Sequence, residues 1–145
     1  MARAEAGKLL FADKSACVET ALFADVAQEL GGEFEARRFI PFVVMHEFEG
    51  LLFSDCQVFA ETIAQPRLTQ QFREIRQEFA TPEEINDSPV TAPSKRVEEL
   101  FAGYQKPLFG TLAALRMGLD TIRNECPHFR DWLERLEAWP EQHGT

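Results

Sequence analysis

The sequence has no apolar run approaching membrane-spanning length, and Leu9-Leu10-Phe11-Ala12 near its start is too short for the core of a signal segment. These absences predict a soluble, cytoplasmic chain with no membrane partner. Cysteine is sparse. Cys17, Cys56 and Cys126 are odd in number, far apart, and lack C-x-x-C or zinc-knuckle spacing, which argues against a disulfide framework or a structural zinc site and favours buried thiols. Positive charge is also scarce: 15 Lys and Arg against 24 Asp and Glu leave a net charge of −9, which argues against affinity built mainly on phosphate neutralisation but leaves room for a local basic groove. One tyrosine stands against 13 phenylalanines, so the aromatic content points to a packed interior rather than to base-stacking surfaces. No P-loop, G-x-G-x-x-G or G-x-S-x-G motif occurs, which removes the usual footholds of nucleotide hydrolysis, dinucleotide binding and hydrolase-elbow chemistry.

What remains is enough apolar material, 45% of 145 residues, for one substantial core. The expected organisation is a lead-in over residues 1–14, a single domain over 15–139 and a tail over 140–145. From Ser15 to Leu30 the apolar residues Val18, Leu22, Val26 and Leu30 recur at fours, and Gly31-Gly32 follows as a helix stop. Phe39 to Met45 is almost wholly apolar and rich in aromatic and β-branched residues, the pattern of a strand buried on both faces, with regular pairing expected from Phe42 because Pro41 lacks a donor. Helical spacing resumes over residues 46–53, and Ser54 with Gln57 fits a capping box opening a further helix. Pro66 breaks that helix, and Leu68, Phe72, Ile75 and Phe79 mark the next. Thr81-Pro82-Glu83-Glu84 reads as a capped turn. Ser94–Phe101, Leu108–Met117 and Leu119–Glu125 read as short helices, and a last one begins at Pro127.

Ligand-type side chains gather where the apolar run ends: His46, Glu47, Glu49 and Asp55. At the carboxyl end of a parallel strand they would face the crevice in which open α/β sheets bind ligands, and carboxylates there suit magnesium or manganese. If residues 46–53 are helical, His46 and Glu49 share a face while Glu47 points elsewhere. The order is not the H-E-x-x-H zinc pattern, because no second histidine follows. A local reading competes: Glu47 and Glu49 are first-turn acids favoured by the helix dipole, and Asp55 belongs to the next cap. A second constellation runs from Ile85 to Arg96. Asn86, Asp87, Ser88, Ser94, Lys95 and Arg96 combine an Asx turn, hydroxyls and a basic pair at a helix start, a setting for a phosphate or nucleic-acid contact; the alternative is a rigid connection with Ser94 or Thr91 as an ordinary N-cap. Cys126-Pro127-His128-Phe129 reads as a helix entry rather than a thiol–histidine pair.

Three blocks in the same order carry a family resemblance: Arg38-Phe39-Ile40-Pro41-Phe42 leading into His46–Asp55, Ile85–Pro89 with Thr91–Arg96, and Cys126–Phe129 with Trp132-Leu133 and Leu136-Glu137. Together they resemble domain-of-unknown-function family 4276, with Gly50 where that family more often has alanine. The resemblance implies kinship with the Toprim fold of topoisomerases, primases and related nucleases. The E-G-x-T-E strand that such a domain would begin with is not found here, so the implied fold class is α/β, a helix-rich C-terminal portion of a Toprim-like domain with one or two core strands. The implied activity is metal-dependent, nuclease-type nucleic-acid processing in a bacterial defence or mobile-element system. Glu49, Glu47 and His46 would be catalytic, Glu49 and Asp55 would hold Mg2+ or Mn2+, and an AAA-type ATPase would be the partner. The rival expectation is a non-catalytic interaction module docking on that ATPase.

Overall fold

The computed structural model describes residues 11–85 and 91–139. The expected lead-in lies largely outside the described residues, and the expected tail entirely. In chain order the helices are α1 (Phe11–Leu30), α2 (Phe48–Leu51), α3 (Cys56–Thr62), α4 (Thr69–Gln77), α5 (Pro93–Leu100), α6 (Lys106–Met117), α7 (Leu119–Glu125) and α8 (Pro127–Glu137). Short 3-10 turns stand between several of them, including Leu52–Asp55 and Pro82–Glu84. Among the described residues there is no strand, so the α/β expectation, and with it the Toprim-like sheet, is corrected to an all-α fold. The chain divides into two compact units, residues 1–43 with 128–145, and residues 44–127.

In the first unit α1 ends where glycine was expected to stop it, with Gly31 at φ +56°, a left-handed conformation that costs other residues more. The run from Phe39 to Val44 has no regular structure, and the reason lies in what its groups contact. The Val43 N–H donates to the Glu19 carboxylate of α1 at 2.9 Å, where a strand would have given it to a neighbouring backbone. The Phe42 ring stacks on His128 and Trp132 of α8 at centroid distances of 5.1 and 4.8 Å. Phe39 joins Phe23 and Phe34 in a second ring cluster. Aromatic and β-branched residues therefore pack here as side chains against helices, and the composition that suits a buried strand serves an irregular segment equally well.

The second unit is built on a nearly continuous helical stretch from Phe48 to Thr62. Asp55, one residue beyond the expected Ser54, caps α3 by accepting the N–H groups of Gln57 and Val58 at 3.1 and 2.9 Å. Asp55→Ala is expected to cost about 1 kcal/mol, read from the urea unfolding midpoint; a variant as stable as the parent would show that water replaces the cap. Phe53, Phe59 and Phe72 form the centre, with ring centroids 5.0–5.5 Å apart, surrounded by Leu52, Ile63, Ile85, Val97 and Ala113, all fully buried. Gly50 lets α2 lie against the Pro82–Glu84 turn: a Cβ at this position would come within 3.0 Å of the Pro82 carbonyl oxygen.

Candidate functional site

The local chain path decides which of the candidate acids meet. Helix α2 begins only at Phe48, so His46 stands in the bend before it and Glu47, at φ −126° and ψ 148°, is extended. His46 and Glu49 are thus not one helical face; Glu47 and Glu49 converge instead, on Lys106 at the start of α6. Lys106 Nζ donates to Glu47 Oε1 at 2.9 Å and lies 3.8 Å from Glu49 Oε2. The Tyr104 hydroxyl points at Glu49 Oε1 from 3.5 Å. Glu49 itself is only 5% exposed.

The other oxygen of Glu47 reaches the second sequence constellation. Helix α5 opens with Pro93 at its first position and Ala92 as its N-cap, a residue with no side chain to satisfy the free N–H groups. Glu47 Oε2 accepts from the Ser94 N–H at 2.9 Å and supplies the missing cap from another element. The helix start read as a phosphate cradle does bind an anion, and the anion is the protein's own carboxylate. Arg96 donates to the Thr91 carbonyl, pairs with Glu78 and lies over the Phe79 ring, and Lys95 pairs with Glu98. Asn86, Asp87 and Ser88 lie outside the described residues.

The electrostatics separate the two acids. At Glu47, burial works against ionisation, but the hydrogen bonds from Lys106 and Ser94 outweigh it and hold the carboxyl below its usual value. At Glu49 burial prevails over the Lys106 charge and pushes the carboxyl up, helped by the neighbouring Glu47. Burial, with Glu49 beside it, raises Tyr104 as well. Lys106 resists its own desolvation because Glu47 and Glu49 hold its proton, which shifts it upward.

These partners bear on metal binding. Both Glu47 oxygens are engaged, the Asp55 carboxylate caps α3, and an ammonium occupies the space facing both glutamates. Among the described residues no group of three or more His, Cys, Asp or Glu side chains is arranged to hold an ion. The donor set does not fit the Mg2+ or Mn2+ that the resemblance implied. The thiols are equally quiet: burial pushes Cys56 up to about 11 and Cys126 up to about 12, so neither is a ready nucleophile. His128 has its own partner, Glu19 Oε1 at 2.8 Å.

Sequence reasoning did not select Lys106 or Tyr104. One signal was available: a lysine followed by a helix-opening proline places a cation at the positive end of a helix dipole, a position that asks for a carboxylate partner.

A different surface of the second unit is also out of the ordinary. Helix α6 turns its small residues Gly110 and Ala113, with Met117, inward, and exposes its leucines. Leu108, Leu112 and Leu115 are 51%, 45% and 75% exposed, and Leu119 at the start of α7 is 54% exposed. The spacing of four and three puts Leu108, Leu112 and Leu115 on one stripe of α6, and Gly118, at φ +84° and ψ 156°, breaks the helix before Leu119.

The sequence model of a family described as "Domain of unknown function (DUF4276)" matches residues 8–137. No curated protein and no solved structure matches the chain.

Proposed function

This chain belongs to the DUF4276 family, and we propose that it is a non-catalytic interaction module whose α6 leucine stripe takes an amphipathic helix of a partner protein. The observation that carries the reading is the inverted amphipathicity of α6. A helix apolar on every side is ordinarily covered on every side, and this one leaves its three leucines in water. Leucines at 108, 112 and 115 repeat at the spacing with which a helix lays apolar anchors against another helix. The Glu47–Lys106–Glu49 cluster fits the same reading, since its charges are spent on one another and on capping α5. No helix among the described residues is long and apolar enough to cross a membrane. A cytoplasmic setting accords with the three free cysteines, two of them buried.

The partner to test first is the AAA-type ATPase that the family resemblance suggests. Co-expressed wild-type chain is expected to form a complex with it, and the double substitution Leu112→Asp, Leu115→Asp to weaken that complex by tenfold or more, about 1.4 kcal/mol. Because both leucines are exposed, the unfolding midpoint should move by no more than about 0.5 kcal/mol. A complex that survives the double substitution would overturn the proposal. A wild-type homodimer that the substitution dissolves would assign the stripe to a second copy instead.

A further inference from the structure

Arginine is concentrated in one place on the first unit, although the whole chain is strongly acidic. A surface hollow of about 280 Å3 is lined by Glu35, Arg37, Arg38 and Trp139. A second, also of about 280 Å3, shares Arg37 and Trp139 with it and adds Arg135 and Phe39. The two therefore adjoin along Arg37 and Trp139, forming a groove lined by three arginines, one tryptophan and the phenylalanines Phe23 and Phe39. Each hollow alone is near the lower limit of small-molecule pockets, about 300–1,000 Å3; joined, they provide one compartment beside aromatic faces and one beside the Arg37–Arg38 pair.

We infer that this groove binds a planar base carrying a phosphate, either a free nucleoside phosphate or the end of a single nucleic-acid strand. Guanidinium forks match phosphate oxygens two at a time, and a base stacks on indole or phenyl faces whatever its identity. The lining carboxylate, Glu35, does not close the groove. Glu35 pairs with Arg37 at 3.3 Å, but the two side chains are 49% and 67% exposed, and such a pair yields readily to a dianion. The site shares no residue with the α6 stripe or the Glu47–Lys106 cluster, so it stands or falls independently of the docking function.

Adenosine monophosphate and a short oligo-deoxyadenylate are the probes, with binding to the full chain followed by calorimetry at low and moderate salt. At least one probe is expected to bind, to weaken about tenfold in Arg37→Ala and in Trp139→Ala, and to weaken with added salt. Glu35→Gln, which releases Arg37, is expected to tighten binding several-fold. Comparable affinity for both probes assigns the site to free nucleotides; binding of the oligonucleotide alone assigns it to strand ends. Absence of binding by both probes, or affinity indifferent to Arg37→Ala, overturns the inference. Because Arg37 is largely exposed, that variant keeps the fold, and an unchanged unfolding midpoint checks it.

Discussion

Phe59→Ala is expected to lower the stability of the chain by about 3–5 kcal/mol, the usual range for deleting a buried ring. Phe59 is fully buried and touches three other aromatic rings: Phe53 edge-on at 5.5 Å, Phe72 at 5.0 Å and Tyr104 edge-on at 6.1 Å. The cavity left behind cannot close easily, because Phe53 and Phe72 are held against each other at 5.4 Å and are buried themselves. Against a total stability on the order of 5–15 kcal/mol this loss is large, and a fall of the unfolding temperature on the order of 10 °C should accompany it. The ring also backs Tyr104, whose hydroxyl faces Glu49, so the variant should loosen the carboxylate cluster as well as the core. Urea and thermal unfolding measure the effect; a loss below about 1.5 kcal/mol would mean that the neighbouring rings refill the space, as in a volume-conserving exchange.

The helices were largely legible because each has a local cause. Gly31 ends α1, Leu119–Glu125 forms the helix its spacing predicts, and Pro127 opens α8, each through backbone chemistry that acts within a turn. The Phe39–Met45 run misled because period and composition report burial, and burial against helices leaves the same imprint as burial in a sheet. Only the destination of the Val43 N–H, the Glu19 side chain, distinguishes the two, and that is a contact across 24 residues. The candidate site was legible in parts. Glu47 and Ser94 were each selected, in separate motifs, yet their hydrogen bond spans 47 residues and Lys106 lies 59 residues from Glu47. Spacing along the chain can suggest a ligand set; it does not reveal that another side chain has already filled it. The same limit applies to α6, where the apolar pattern marked a helix without telling which face would meet water.

Lys106→Met is expected to destabilise the chain by about 1–3 kcal/mol near neutral pH, and the deficit should depend on pH in a defined direction. The substitution keeps the apolar stem and removes the cation that faces both glutamates. Removing one partner of a fully buried pair costs about 3–5 kcal/mol; the lysine side chain is 42% exposed, so water will screen part of the loss. In the parent, Glu47 has a lowered pKa, so its contribution is present above the ordinary value of 4.5 and is lost as the pH falls through the folded value. Glu49 has a raised pKa, so its ionisation costs stability as the pH climbs above 4.5. Without Lys106 the first contribution shrinks to what the Ser94 N–H still supplies, and the second cost grows. The gap between parent and variant should therefore be widest near neutral pH and shrink as acid protonates Glu49. It should shrink again at strongly alkaline pH, where the parent loses the Lys106 charge that its raised pKa protects up to and beyond 10.5. Glu49→Gln placed on the variant background should restore part of the loss, because an amide needs no counter-ion. Urea midpoints taken from about pH 4 to about pH 8 decide the matter: a deficit constant across that range would mean that Lys106 acts through the packing of its stem, and the electrostatic account of the cluster would fail.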